Sequence, residues 1–190
     1  MAGHPKADER RLRADARRNR ERILEAARYA CAAHGASVQM DDVARGAGVG
    51  VGTVYRHFPT KEALIAALVA EKFRVTNQNL RDALEIEDPW DAFAEGMRRN
   101  AAVMAADVAL REALNRLGPA ADRDDQGRAE LEALAGRLIA RAQEAGVLRR
   151  DVTVGDIGAL MSGLGSSMGR ADVDWRRHLE ILLDGLRVAR

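Results

Sequence analysis

Cysteine is almost absent from this chain: the single thiol of Cys31 excludes an intrachain disulfide and any cysteine-rich zinc site. Four prolines in 190 residues are too few for a linker-rich protein. No apolar run approaches the roughly 20 residues that a membrane span needs. The first twenty residues are polar and arginine-rich and lack the apolar stretch of a secretory leader, so a reducing cytoplasm is the expected location. The four histidines, His4, His34, His57 and His178, share no metal-ligand spacing with one another or with Cys31, and no metal or cofactor is expected. Lysine is missing from residues 75–190 altogether.

What is present reads as globular, with 47% hydrophobic and 31% charged residues, enough for one large domain or two small ones. The richness in Ala, Arg and Gly suggests a GC-rich bacterial genome. The net charge of +1 conceals an asymmetry: residues 1–74 hold 14 Lys+Arg against 9 Asp+Glu, and the remainder holds 16 against 20. A basic N-terminal part joined to a mildly acidic one points to a polyanionic partner for the first alone.

Apolar residues recur at helical spacing, with no alternating segments that would indicate strands. Residues 1–16 have no apolar stripe and are expected to form a mobile basic arm. A first helix carries Ile23, Leu24, Ala27, Ala30 and Cys31, with Gly35 as its stop. Two short helical pieces follow, Met40–Arg45 and Val51–His57. Thr60 caps a longer helix striped by Leu64, Leu68, Val69 and Phe73. Asp88 and Pro89 start another, which carries Trp90, Phe93, Met97 and Met104 and breaks near Asp107 before Leu110 and Leu114. After a loop around Gly118-Pro119 and residues 122–127, Leu131, Leu134, Leu138 and Ile139 stripe a helix that Gly146 ends. Thr153 caps the next with Asp156 three residues on, and Val152 and Ile157 suit a hydrophobic staple. The last helix spans about 174–188. The expectation is an all-α protein of about nine helices.

Residues 40–58 are the most informative. Two short helices joined by a tight turn must cross closely: Ala44 is small at the crossing, Gly48 suits a left-handed turn, and Val54 packs between Val43 and Val49. The second helix then stands proud, as entry into a DNA major groove requires. The segments Ile23-Leu24-Glu25-Ala26-Ala27, Val43-Ala44, Ala47-Gly48-Val49, Gly52-Thr53-Val54-Tyr55-Arg56-His57-Phe58 and Lys61-Glu62-Ala63-Leu64 closely resemble the TetR family of bacterial transcriptional regulators. The resemblance implies phosphate contacts for Thr53, Tyr55, His57 and Lys61, and groove-facing positions for Val51 and Gly52, where Val51 meets a thymine methyl. Family members often carry Ser or Thr in place of Gly50 and Lys or Arg in place of Val51, so this chain is expected to lean more on DNA shape. Phe58 reads as a core aromatic and Cys31 as packing. The cluster Arg10, Arg11, Arg13, Arg17, Arg18, Arg20 and Arg22 reads as a solvated charge run, with an auxiliary minor-groove contact as the alternative.

The expected division is 1–16 arm, 17–62 helix-turn-helix domain with three helices, and 63–190 ligand-binding and dimerisation domain. The resemblance implies a homodimer on a pseudo-palindromic operator and a repressor released by a small-molecule effector; the few aromatics and the lack of a charged constellation in the C-terminal helices favour a lipophilic one. Candidate pocket residues are Trp90, Phe93, Met97, Met104, Leu110, Leu138 and Met161. The dimer stripes are Ile157, Leu160, Met161, Leu164 and Met168 on one helix, and Trp175, Leu179, Leu182, Leu183 and Leu186 on the other; intrachain core is the competing role. Two other functions are weighed. An architectural DNA-binding protein would need no effector. A hydrolase could use Ser167 within Gly165-Ser166-Ser167-Met168-Gly169, followed by Asp172 or Asp174 and His178. That nucleophile motif needs a preceding strand, and helices flank it here, so no enzyme is expected.

Overall fold

The computed structural model describes residues 5–34, 37–108, 110–111 and 124–188. Eight helices lie among them: α1 (Pro5–His34), α2 (Met40–Ala47), α3 (Val51–His57), α4 (Lys61–Leu84), α5 (Pro89–Ala106), α6 (Asp125–Glu144), α7 (Val154–Ser167) and α8 (Trp175–Leu186). Among the described residues the only β-type pairing is one isolated antiparallel bridge, Leu148 with Arg187. Gly35, expected to stop α1, and Leu114 with the Gly118-Pro119 loop lie outside the described residues. The ninth expected helical piece falls largely there too.

The helix starts follow from local chemistry. Thr60 Oγ1 accepts from the Ala63 amide at 3.1 Å and Asp88 Oδ1 from the Asp91 amide at 2.9 Å. Asp124 accepts from Gly127 at 2.9 Å. Thr153 and Asp156 close a reciprocal capping box, with Val152 and Ile157 buried beside it. Asp174 accepts from the Arg176 and Arg177 amides. Each side chain satisfies amides that the first turn of a helix leaves without a partner.

One expectation needs correcting. The helix α1 begins at Pro5, so residues 5–16 of the stretch expected as a mobile basic arm are helical and continuous with the first helix of the DNA-binding domain. Between Pro5 and Ala16 the chain is Lys, Ala, Asp, Glu, Arg and Leu, with no glycine. Most of these are strong helix formers, and propagating a helix that already exists is far easier than nucleating one.

The chain divides into two compact units, one holding Met1–Leu68 and Ala109–Arg123, the other Val69–Val108 and Asp124–Arg190. The division thus falls inside α4, between Leu68 and Val69, whereas the reading from the helix-turn-helix motif puts it after residue 62. In the first unit, α1 packs on α2 and α2 on α3. Ile23, Ala27, Val43 and Val54 are wholly inaccessible there. In the second, α5 packs against α6, α7 and α8. Trp90, Phe93, Met97, Leu134, Leu138, Leu148, Leu179 and Leu183 share one apolar cluster. At Gly96 α5 comes close to its neighbours, since a Cβ there would stand 3.2 Å from both Leu138 Cδ1 and Leu80 Cδ2. A bidentate ion pair at 2.8 Å joins Arg98 on α5 to Glu180 on α8.

Asn77 is the one polar side chain buried with the core residues among those described, at 1% exposure. Its amide nitrogen donates to Gly127 O and Glu130 Oε2, both at 3.1 Å, and ties α4 to α6. Its Oδ1 has no hydrogen-bond partner. Asn77→Ala removes two bonds and also one desolvated acceptor, so a net loss of about 1 kcal/mol is expected. That corresponds to a fall in Tm of about 2–4 °C, readable by thermal unfolding of the two proteins side by side.

Candidate nucleic-acid interface

The helix-turn-helix is built around Gly48. Its φ of 62° places it in the left-handed region, which favours glycine. The Val49 amide donates to Ala44 O at 3.0 Å and the Gly48 amide to Arg45 O at 3.2 Å, the paired bonds that end a helix in a sharp turn. Arg22 reaches across from α1 and donates to Ala47 O at 2.5 Å, satisfying another carbonyl left open at the end of α2. Gly46 sets how closely α1 and α2 approach, since a Cβ there would lie 3.3 Å from Ala26 Cβ. Ala44 and Ala47 are buried as the crossing demands.

The helix α3 that follows has one buried residue, Val54. Everything else on it is exposed or half-buried. Val51 is 41% exposed and Tyr55 49% exposed. Gly52 is exposed, and a Cβ at Gly50 or Gly52 would meet nothing within 4 Å. Thr53 and His57 are half-buried. The His57 ring lies 6.3 Å from Phe58, whose side chain is buried and seals the end of the helix. Lys61 opens α4, half-buried, one residue after the Thr60 cap. The six residues singled out in the sequence therefore sit along α3 and the start of α4. No acidic residue lies between Val49 and Lys61 in the sequence, and Glu62 follows directly in the first turn of α4.

Two residues of this unit escaped the sequence reading of the motif. Arg22 locks the turn, and the Arg20 guanidinium lies 5.5 Å from the centre of the Phe58 ring. In the sequence both stand in an undifferentiated arginine run. Cys31 packs as expected: it is buried, and burial pushes its thiol pKa up against the smaller opposing effect of the Lys61 charge. A raised thiol pKa lowers the thiolate fraction and with it the reactivity.

The C-terminal candidates divide. Trp90, Phe93, Met97 and Leu138 are buried in the α5-centred cluster, and Met104 and Met161 are half-buried against it. Leu110 is buried but stands outside that cluster and belongs to the first unit. The chain turns after α5 at Asp107, which separates Leu110 from the stripe that precedes it. Of the dimer stripes, Ile157, Leu164, Met168, Leu179, Leu183 and Leu186 are buried within their own chain, and Leu160, Met161, Trp175 and Leu182 half-buried. The exposed apolar side chain of α8 is Ile181, at 57%, which the stripe pattern passes over. Ser167 ends a helix and donates its hydroxyl to Leu164 O at 2.7 Å, so it does not stand on a strand-to-helix turn.

Comparison with known proteins agrees with this geometry over most of the chain. Residues 23–68 match the model of bacterial regulatory proteins of the tetR family, and residues 88–188 match the SbtR-like transcriptional regulator C-terminal domain. Among curated relatives, the regulator SrpR of Pseudomonas putida is 35% identical over 89 residues, 46% of this chain and 42% of that one. The regulator TtgW of Pseudomonas putida is 34% identical over 89 residues, 46% of this chain and 66% of that one. The matched stretch thus spans less than two thirds of either relative. A TetR regulatory protein of Mycobacterium vanbaalenii superposes with a TM-score of 0.70 at 42% identity, covering 93% of this chain and 99% of that one. A TetR regulator of Streptomyces coelicolor gives 0.70 at 30% identity, covering 90% and 99%. With both parts of the chain matched and 93% of it superposable at 42% identity, this protein belongs to the TetR family of bacterial transcriptional regulators.

Proposed function

We propose that the chain is a repressor that binds a pseudo-palindromic operator as a homodimer and leaves it when a small apolar effector binds. The observation that carries the DNA-binding part is the exposure of α3, which commits Val54 alone to the core and leaves Val51 and Tyr55 to solvent. Val51 and Gly52 then read base edges, with Val51 against a thymine methyl. Thr53, Tyr55, His57 and Lys61 hold phosphates, Lys61 aided by the positive end of α4. Because valine and glycine supply no side-chain hydrogen bonds, much of the specificity rests on groove shape and on the deformability of the bases between contacts.

The effector reading rests on the α5-centred cluster, where Met97, Met104 and Met161 supply adaptable apolar lining beside Trp90, Phe93 and Leu138. The helix α4 belongs to both units, so a conformer preferred by the liganded second unit is passed along one continuous helix to Lys61. A coupling of about 1–3 kcal/mol changes operator occupancy usefully. The dimer reading rests on the outer faces of α7 and α8, where Ile181 is exposed and a Cβ at Gly158, Gly163 or Gly185 would meet nothing within 4 Å.

The test begins with selection from a pool of randomised duplexes. A single enriched sequence with two-fold character is expected, its half-sites about 10 bp or a multiple apart. Tyr55→Phe and Lys61→Ala should each weaken binding to every duplex, and loss of the Lys61 charge should lower the slope of log K against log[salt] by about 1. Val51→Ala should change which bases are enriched. An unselected pool, or three variants that bind as the parent does, would show that α3 does not read DNA. Weak enrichment with no ligand response would instead favour an architectural role.

A further inference from the structure

We infer that the N-terminal half of α1 is a second DNA-binding element, whose arginine face grips the phosphate backbone flanking the half-site read by α3. The inference rests on the DNA-binding reading above and extends it to a surface outside the helix-turn-helix.

Arg10, Arg13, Arg17 and Arg20 follow one another at intervals of three, four and three residues, so they share one face of α1. All four are exposed. The same register continues as Leu24, Ala27 and Cys31, which are all buried. One face of a single helix is therefore apolar where α1 packs on its domain and cationic where it does not. Ile23 is the first buried residue of α1 among those whose side chains are described. The nearby Asp15 is paired with Arg18.

Two contacts orient this face. The Arg20 guanidinium lies over the ring of Phe58, which ends α3, and Arg22 is bonded to the Ala47 carbonyl at the helix-turn-helix turn. The cationic face thus leaves the domain beside Phe58, at the C-terminal end of α3. Arg10 to Arg20 spans about 15 Å along the helix. A duplex carries a phosphate for about every 1.7 Å of its axis, so each arginine has a phosphate within reach. Like charges three and four apart disfavour the free helix, and neutralisation by phosphate removes that repulsion.

The test uses the full chain, the duplex that it selects from the randomised pool extended to 40 bp, and the same duplex trimmed to the edges of its half-sites. The variant is Arg10→Gln with Arg13→Gln and Arg17→Gln, which leaves the Arg20–Phe58 contact alone. Affinity on the long duplex is expected to fall on the order of 10- to 100-fold, and the salt slope to fall by about 2–3. The parent should lose as much on trimming as the variant has lost, while thermal unfolding and the selected bases stay unchanged. Replacing the same three arginines by lysine should keep most of the slope. Equal affinity and slope for parent and variant overturn the inference while leaving the DNA-binding reading standing; failure of the parent to select any sequence overturns that reading itself. A loss equal on long and trimmed duplexes overturns the flanking position. A loss confined to A·T-rich flanks overturns the backbone contact in favour of minor-groove insertion.

Discussion

Gly52→Leu is expected to raise the thermal stability of the free protein and to lower its affinity for the selected duplex on the order of 10²-fold. The two effects have opposite signs because they arise in different states. In the free chain, Gly52 is the second residue of α3, and a Cβ there meets nothing within 4 Å. Glycine costs a helix about 0.8–1 kcal/mol relative to alanine, and leucine is nearly as favourable as alanine. The gain should therefore be about 0.5–1 kcal/mol, a rise in Tm of about 1–4 °C. On DNA the open space is where base edges would lie, and an isobutyl group there holds the helix away from them. Spoiling the fit at one or two base pairs, each worth about 1–3 kcal/mol, gives the stated fall in affinity. Thermal unfolding and fluorescence anisotropy on one preparation check both. Tighter folding with undiminished binding would mean that the N-terminal end of α3 never enters a groove.

Ile181→Glu is the second large effect. Leu179, Leu183 and Leu186 turn inward on α8, while Ile181 is out of phase with them and 57% exposed. At a two-fold interface one substitution appears twice, so two carboxylates are desolvated together and face like charge. The chain should become monomeric by sedimentation at micromolar concentration while keeping its helical content, because nothing in its own core is disturbed. Losing the link between two half-site contacts should cost about 10²–10⁴ in operator affinity. A variant that stays dimeric with parental affinity would move the interface off this face of α8.

Much of the fold was legible because its signals are local. Thr60, Asp88-Pro89, and Thr153 with Asp156 each announce a helix start within four residues, and each cap is made. The break at Asp107 and the turn at Gly48 read equally well. The α1 start did not, because residues 5–16 have no apolar stripe and a helix without one looks the same in sequence as an unstructured arm. Asn77 was missed for the complementary reason: an asparagine on a long helix reads as solvent-facing until Gly127 and Glu130, fifty residues away, are found beside it.

From the residues alone came the all-helical class, the helix-turn-helix between Met40 and Phe58, and the family, since these depend on spacings within a turn or two of the chain. Tertiary structure decided which stripes face their own core and which face outward: Leu179 in and Ile181 out, Leu110 apart from the α5 cluster, Arg20 over Phe58. Periodicity defines that a helix has two faces. It cannot say which partner covers each, because burial is set by contacts between residues far apart in sequence.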